Sequence, residues 1–226
     1  SLLTVIGSFL LGKELTRQKF PALLICSAIS LAPYRAVDLF VRGALSEAWG
    51  IMALPWILYG VLLVCRGRSK SWLVLALSLT TLFLSHNLTA FMFLPILIVF
   101  TSGYLIITDH DWATTVRVVI KLVSSMILAV SLSAFYLLPA LLEQKFTHVY
   151  NLAISSFHYS DYFVYFRQLV TPLWGYGGAA PGPYNDQSNF LGYGQLLSLS
   201  ISVGLVITYL AIRGKLNRTV KFLFLL

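Results

Sequence analysis

Charged side chains are scarce in this sequence. They make up 11% of its 226 residues, whereas hydrophobic residues make up 58%. A soluble globular domain carries about 25% charged residues, so this composition excludes an ordinary soluble domain. It predicts a polytopic membrane protein in which apolar runs cross a bilayer.

Cysteine is also scarce. The two cysteines, Cys26 and Cys65, both fall in predicted membrane segments, which excludes a disulfide framework and a cysteine metal site. A secretory signal-peptide pattern is missing as well. Because the sequence begins inside an apolar run at Ser1 and stops at the opening of another at residues 222–226, we expect a fragment of a larger multi-span protein.

The positive charge does not indicate a nucleic-acid partner. The formal net charge is +8, but the basic residues stand in short clusters at the ends of apolar runs. Such clusters are typical of membrane topology determinants. Membrane lipids are therefore the expected surroundings, and no nucleic-acid binding is predicted.

The order of apolar runs predicts an all-α transmembrane helix bundle in a single membrane domain, residues 1–226. We expect about six full spans plus two truncated spans at the ends, although the run 20–32 is short for the ~20 residues that a span normally needs. The longest run, 72–107, would reach about 54 Å as one helix, so it should fold back as a hairpin at His86 and Asn87. The full spans are predicted at residues 20–32, 48–65, 72–84, 88–107, 118–142 and 196–212.

The distribution of basic residues predicts the orientation. Twelve of the sixteen Lys and Arg residues lie in connectors 12–19, 66–71, 108–121 and 213–221, which the positive-inside rule places in the cytoplasm. Loops 33–47, 85–87 and 143–195 are then extracytoplasmic, in a multi-pass protein of the cell membrane. Because most acidic residues and histidines lie in these outer loops, any chemistry should face outward.

The outer segment 33–47 is the most polar stretch between the spans. On a helix, Tyr34, Arg35, Asp38 and Arg42 fall within about one quadrant, and the spacing allows Asp38 to pair with either arginine. An interfacial helix of this kind suits a site for an anionic lipid-linked substrate. A surface connector whose charges pair with one another explains the same pattern. Glu47 closes the segment just before the next span.

Three further outer residues are candidates for the same site. His86 and Asn87 form the hairpin tip, where a histidine at membrane depth needs a partner, although both also suit a structural turn. Glu143 follows the long span and could face Asp38 across a cavity, or it could anchor the helix at the interface.

The long loop 143–195 holds the remaining patterns of interest. Its second half is rich in glycine and aromatic residues, which could stack on sugar rings or acyl chains or pack as a cap. His158 and Asp161 are spaced as i,i+3, which would suit a divalent metal ion. A lone pair is weak evidence, so no cofactor is predicted with certainty and no metal ligand is assigned.

Four motifs occur in an order that resembles a known group of membrane proteins. The chain resembles the bacterial and archaeal proteins labelled "6-pyruvoyl-tetrahydropterin synthase-related", although nothing here resembles a soluble pterin enzyme. Those proteins look like relatives of the GT-C glycosyltransferases, which take a sugar from a polyprenyl-phosphate carrier on the extracytoplasmic face. The motifs are the segment 33–47, Leu84-Ser-His-Asn87, Ala134-Phe-Tyr-Leu-Leu-Pro-Ala140 and Trp174-Gly-Tyr-Gly-Gly178.

The resemblance implies an inverting transfer from a polyprenyl-phosphate-linked sugar donor to a glycan or protein acceptor. It places the principal catalytic carboxylate upstream of Ser1. Within this chain, Arg35 or Arg42 would bind the phosphate, Asp38 would orient that arginine or the acceptor, and His86 would donate to the leaving oxygen. The implied roles of the remaining candidates are acceptor contact or acid–base work for Glu47 and Glu143, and substrate contact for Tyr34 and Asn87.

The alternative is a non-enzymatic multi-span protein, either a transporter of lipid-linked glycans or a scaffold. Transporters usually carry polar or broken helices near the membrane midplane. Here most of the acidic residues lie at the outer rim and the span interiors are nearly uncharged. This pattern favours a site at the membrane surface.

Overall fold

The computed structural model describes residues 1–108, 110–147, 159–172, 180–182 and 187–213, and all regular elements within them are helical. The predicted all-α architecture is confirmed for these residues. Seven helices occupy the first two thirds of the chain: α1 (Leu2–Thr16), α2 (Lys19–Ser30), α3 (Pro33–Phe40), α4 (Leu45–Cys65), α5 (Ser71–Ser85), α6 (Asn87–Thr108) and α7 (Trp112–Leu142). The 3₁₀ turns Gln144–Phe146 and Tyr159–Tyr162 follow, then α8 (Phe166–Val170) and α9 (Tyr193–Arg213).

Four helical stretches are long and apolar enough to cross a membrane, which supports the predicted membrane protein. They are Lys19–Phe40, which joins α2 and α3, and helices α4, α6 and α7. Helix α5 has 15 residues and extends about 22 Å, short of the ~30 Å hydrocarbon core. The apolar part of α9, Tyr193–Leu205, is also shorter. Length and composition thus support four spans among the described residues, compared with the six that were predicted.

Two predicted spans differ from the structure by more than three residues at one boundary. The long span was expected to begin at residue 118, but α7 begins at Trp112. The carboxylate of Asp111 accepts a hydrogen bond from the backbone N–H of Thr114 and caps the helix, so the polar connector becomes part of its first turns. Near the N-terminus, the predicted crossing 20–32 continues into α3 with only a short break after Ser30.

Helices α4 and α5 form the centre of the bundle. Helix α7 packs on α5, and α1 packs on both α2 and α4. A Cβ atom placed on Gly60 of α4 would lie 2.9 Å from the Cα of Leu75 in α5. The absence of a side chain at Gly60 is therefore what lets the two helices approach so closely. The largest fully buried apolar side chains of this core are Ile57, Leu62, Leu75, Leu79 and Leu82.

The outward faces of the bundle are strongly apolar. Phe91 and Ile106 on α6 and Phe135 and Leu141 on α7 are all more than two thirds exposed. Apolar side chains that cover helix surfaces so densely are stable in lipid, where they need no burial by protein. The exposed faces agree with a chain whose helices sit in a membrane.

Two contacts establish which connectors share an end of the bundle. A Cβ on Gly50, near the start of α4, would lie 3.2 Å from the Cβ of His86. The side-chain N–H of Asn87 donates to the hydroxyl of Tyr136, near the end of α7, at 3.1 Å. The α3–α4 turn, the 85–87 turn and the end of α7 therefore lie at one end, the Asp38 end. At the opposite end, Arg66 donates to the side chain and carbonyl of Glu14.

Candidate functional site

A tight turn joins α3 to α4 and shapes the Asp38 end. The backbone N–H of Arg42 donates to the carbonyl of Val37, and that of Ala44 donates to the carbonyl of Asp38. Gly43 takes a φ of +63°, a backbone conformation that glycine adopts without strain. The turn reverses the chain so that the first turn of α4 stands beside the last turn of α3.

This reversal brings four polar side chains, Tyr34, Asp38, Arg42 and Glu47, into one hydrogen-bonded group, called here the Arg42 cluster. The Nη1 of Arg42 donates to the hydroxyl of Tyr34 at 2.8 Å, to Oδ1 of Asp38 at 3.1 Å and to Oε2 of Glu47 at 2.7 Å. The hydroxyl of Tyr34 in turn donates to Oε1 of Glu47 at 2.7 Å. One guanidinium thus pairs with two carboxylates, so the cluster keeps a net negative charge when both are ionised.

Arg42 remains charged in this setting. Partial burial by itself lowers the pKa of Arg42, but the neighbouring Tyr34, Glu47 and Asp38 raise it more, so its pKa lies above the ordinary value. The arginine therefore supplies a constant positive charge to the cluster. Its side chain is 32% exposed, so it is also the cluster member most open to the surroundings.

Asp38 is the most deeply buried member of the cluster. Its side chain is 1% exposed, and Oδ2 has no hydrogen-bond partner among the described residues. The sequence placed this residue on a polar face of α3, directed to water or a cavity. The structure turns that face into the bundle and leaves Phe40 77% exposed on the other side. A buried carboxylate oxygen without a partner is costly.

Arg35 does not join the cluster, contrary to the pairing with Asp38 that the i,i+3 spacing allowed. Its Nη1 donates to the carbonyl of Ser30 at 2.8 Å, and its Nη2 donates to Oγ1 of Thr4 at 3.2 Å. The physical reason is packing. Because α1 lies beside α2, Thr4 of α1 and Ser30 of α2 each offer an oxygen acceptor to Arg35, away from Arg42. The two arginines of segment 33–47 therefore have different surroundings.

His86 lies at the edge of the site. Its Nδ1 accepts the backbone N–H of Thr89 at 3.2 Å and is 2.8 Å from the hydroxyl of the same residue. The ring therefore caps the start of α6, which is the structural role considered for this turn. His86 is also close enough to Asp38 to interact with it electrostatically.

The other two outer candidates lie farther along the rim. Asn87 links α6 to α7 through Tyr136, as described above, and makes no hydrogen bond to the Arg42 cluster within the described part of the chain. Glu143 ends α7, where its backbone N–H donates to the carbonyl of Pro139. Its exposed side chain forms no ion pair with the cluster among the residues described.

Several predicted features fall outside the described residues. These are the motif 174–178 and the side chains of His148, His158 and Asp186. The other proposed metal ligand, Asp161, is described, and its carboxylate accepts a hydrogen bond from Ser160 at 3.2 Å. Across the described ranges, no group of three or more His, Cys, Asp or Glu side chains is placed to hold a metal ion.

Sequence reasoning missed the residues that separate the two arginines. Thr4 and Ser30 bind Arg35, but neither stands out in the sequence, since a threonine and a serine inside apolar runs commonly bond to their own helix. Gly50 allows His86 to approach α4, and an isolated glycine in a span was the one available signal for that approach.

No known protein-family profile, characterised protein or solved structure matches this chain.

Proposed function

We propose that this chain forms part of a membrane glycosyltransferase-like protein that uses a polyprenyl-phosphate-linked sugar donor at the extracytoplasmic face. The observation that carries the proposal is Asp38: a carboxylate buried at one end of an apolar bundle, held through Oδ1 by Arg42, with Oδ2 unpartnered by any residue that the structure describes. An oxygen of this kind suits a proton acceptor.

In the proposed reaction, an acceptor hydroxyl gives its proton to Oδ2 of Asp38. The hydroxyl oxygen forms a bond to the anomeric carbon as the bond from that carbon to the phosphate oxygen breaks, which inverts the configuration. The leaving group is the polyprenyl phosphate, and it keeps the electron pair of the broken bond. Before the proton moves, Arg42 offsets part of the negative charge of Asp38 and Glu47.

Two further side chains have supporting roles in this proposal. His86, at the same end of the bundle as Asp38, is the candidate donor to the leaving oxygen, and Tyr34 holds Glu47 in place. Because Oδ2 of Asp38 is buried, the reaction requires the side chains around it to move before an acceptor reaches it. Glu47, with 14% of its side chain exposed, is the carboxylate that an arriving acceptor would meet first.

A second candidate function is a non-enzymatic scaffold or transporter. The observation that favours it is the closure of the cluster: both carboxylates and Tyr34 already bind Arg42 or one another. Such a group can fix the α3–α4 turn without any substrate. In that case the cluster contributes to stability alone.

A transfer assay separates the two functions. The protein is reconstituted in liposomes with undecaprenyl-phosphate-linked glucose, mannose, galactose or arabinose, and release of undecaprenyl phosphate is measured with mixed glycan and peptide acceptors. Alanine at Arg35, Asp38, Arg42 or His86 should lower turnover at least about tenfold, with normal membrane insertion. Asp111→Asn, at the opposite end, serves as the control. Equal turnover in the wild type and all four variants contradicts the proposal.

A further inference from the structure

Arg35 is a partly buried cation that pairs with no acidic residue in the described part of the chain. A guanidinium has five N–H donors, and those of Arg35 bind one carbonyl and one hydroxyl, from Ser30 and Thr4. Within the residues that the structure describes, no carboxylate pairs with it. Placing a cation at a half-buried position costs solvation free energy that a bound anion would offset. Arg42, in contrast, already pairs with two carboxylates.

Two apolar hollows flank Arg35. One, of about 270 Å³, lies between α1, α3 and the first turns of α4, and the other, of about 380 Å³, lies between α1, the end of α2 and α3. A third hollow of about 210 Å³ shares Leu3, Trp49 and Met52 with the first and continues along α4 to Trp56. Together they form a groove, named here the Arg35 groove.

The direction of the Arg35 groove matches that of a lipid. Its charged side chain, Arg35, lies at the Asp38 end together with Ser1 and Ser30, while its largely apolar wall extends along α4 from Trp49 to Trp56, about 10 Å farther into the bundle. A lipid in a bilayer has the same arrangement, with an anionic head at the surface and a hydrocarbon chain below it. A free phosphate would leave the apolar wall unused.

We propose that the Arg35 groove binds the phosphate of a membrane lipid at Arg35, with the hydrocarbon chain of the lipid against Trp49 and Trp56. Arginine suits this role because its planar guanidinium group can donate hydrogen bonds to two phosphate oxygens at once. Identifying the lipid as the sugar carrier rests on the proposed function. Binding of a lipid phosphate does not depend on it.

Tryptophan quenching tests the site directly. Trp72, Trp112 and Trp174 are replaced by Phe so that the tryptophan fluorescence comes from Trp49 and Trp56. The full chain is then placed in phosphatidylcholine vesicles. Dibrominated phosphatidic acid or dibrominated phosphatidylcholine is then added in equal amounts. The relative affinity obtained from quenching should favour dibrominated phosphatidic acid over dibrominated phosphatidylcholine by about fivefold. Arg35→Gln should remove this preference. The matched control, Arg68→Gln at the other end of the bundle, should keep it.

The opposite results overturn the proposal. A wild type without preference, or Arg35→Gln with the same preference as the wild type, shows that Arg35 binds no lipid phosphate. A chemical test on the unmodified protein avoids any folding defect of the variant. Phosphatidic acid should protect Arg35 from phenylglyoxal, measured by mass spectrometry. Protection by inorganic phosphate alone would assign the site to a free anion and contradict the lipid assignment.

The two proposals fail separately. If Arg35→Gln loses the lipid preference while the wild type shows no sugar transfer, the lipid site stands and the glycosyltransferase function falls. If sugar transfer is detected and the lipid preference is absent, the transfer function stands and the groove assignment falls.

Discussion

Arg42 and Glu47 are five residues apart in the chain, and their side chains join two helices. The Nη1 atom of Arg42, just after α3, lies 2.7 Å from Oε2 of Glu47, in the first turn of α4. The same nitrogen contacts Asp38 at 3.1 Å. The cluster therefore fixes the angle between α3 and α4 in addition to balancing charge.

Removing the guanidinium should destabilise this end of the protein. Arg42→Gln leaves the carboxylate of Asp38 buried without a cation, which should lower the free energy of unfolding by about 1–3 kcal/mol. Arg68→Gln removes an exposed arginine at the opposite end and should change it little. Thermal unfolding of the purified protein in detergent, followed by circular dichroism, measures both.

A double variant checks the assigned cause. Asp38→Asn removes the charge that Arg42 balances, so Asp38→Asn combined with Arg42→Gln should be less destabilised than the sum of the single variants. An additive result would show that the two side chains act on stability independently.

Much of the helix order could be predicted from the sequence, because apolar run length and basic clusters act locally. The hairpin between α5 and α6 turns at His86 and Asn87 as expected, since a continuous helix over 72–107 would be too long for a bilayer. The start of α7 was predicted too late, because the cap at Asp111 outweighs the polar character of the residues that follow it.

The site was harder to predict than the helices. Helical periodicity grouped Tyr34, Arg35, Asp38 and Arg42 on one face, and the structure brings three of them together. The separation of Arg35 depends on Thr4, and the addition of Glu47 depends on the turn at Gly43. Both are tertiary effects that spacing within one helix does not report.

The close contact between α4 and α5 predicts that a glycine-to-alanine change in a helix lowers stability, the opposite of its usual effect. Glycine-to-alanine changes in helix interiors normally stabilise by up to about 1 kcal/mol. At Gly60 the added Cβ would lie 2.9 Å from the backbone of Leu75, so Gly60→Ala should instead destabilise by about 1–3 kcal/mol. Gly204, with open space around it, is the matched control, and Gly204→Ala should be neutral or stabilising. If chemical denaturation gives the same free energy of unfolding for Gly60→Ala and Gly204→Ala, the close contact at Gly60 is contradicted.

The cap at Asp111 gives a prediction about pH. The side-chain hydrogen bond to Thr114, followed by the backbone bond there, lowers the pKa of the Asp111 carboxyl below its ordinary value. A lowered pKa in the folded state means that the cap stabilises fully above the unfolded-state pKa and is lost as the pH falls through the folded-state pKa. Asp111→Asn keeps a side-chain oxygen for the cap and should remove this acid dependence. Melting temperatures of both proteins between pH 3 and 7 measure it, and parallel curves would contradict the assignment.

The predicted sidedness can be tested with introduced cysteines. Ser46 and Gln144 are exposed at the Asp38 end, whereas Ser69 is exposed in the connector between α4 and α5. After replacement of the buried Cys26 and Cys65 by alanine, Ser46→Cys and Gln144→Cys should react with a membrane-impermeant maleimide in intact cells. Ser69→Cys should react only once the membrane has been permeabilised, because the positive-inside rule predicts a cytoplasmic location for the basic connector. Labelling of Ser46 and Gln144 from different sides of the membrane would remove the shared outer site on which sugar transfer depends.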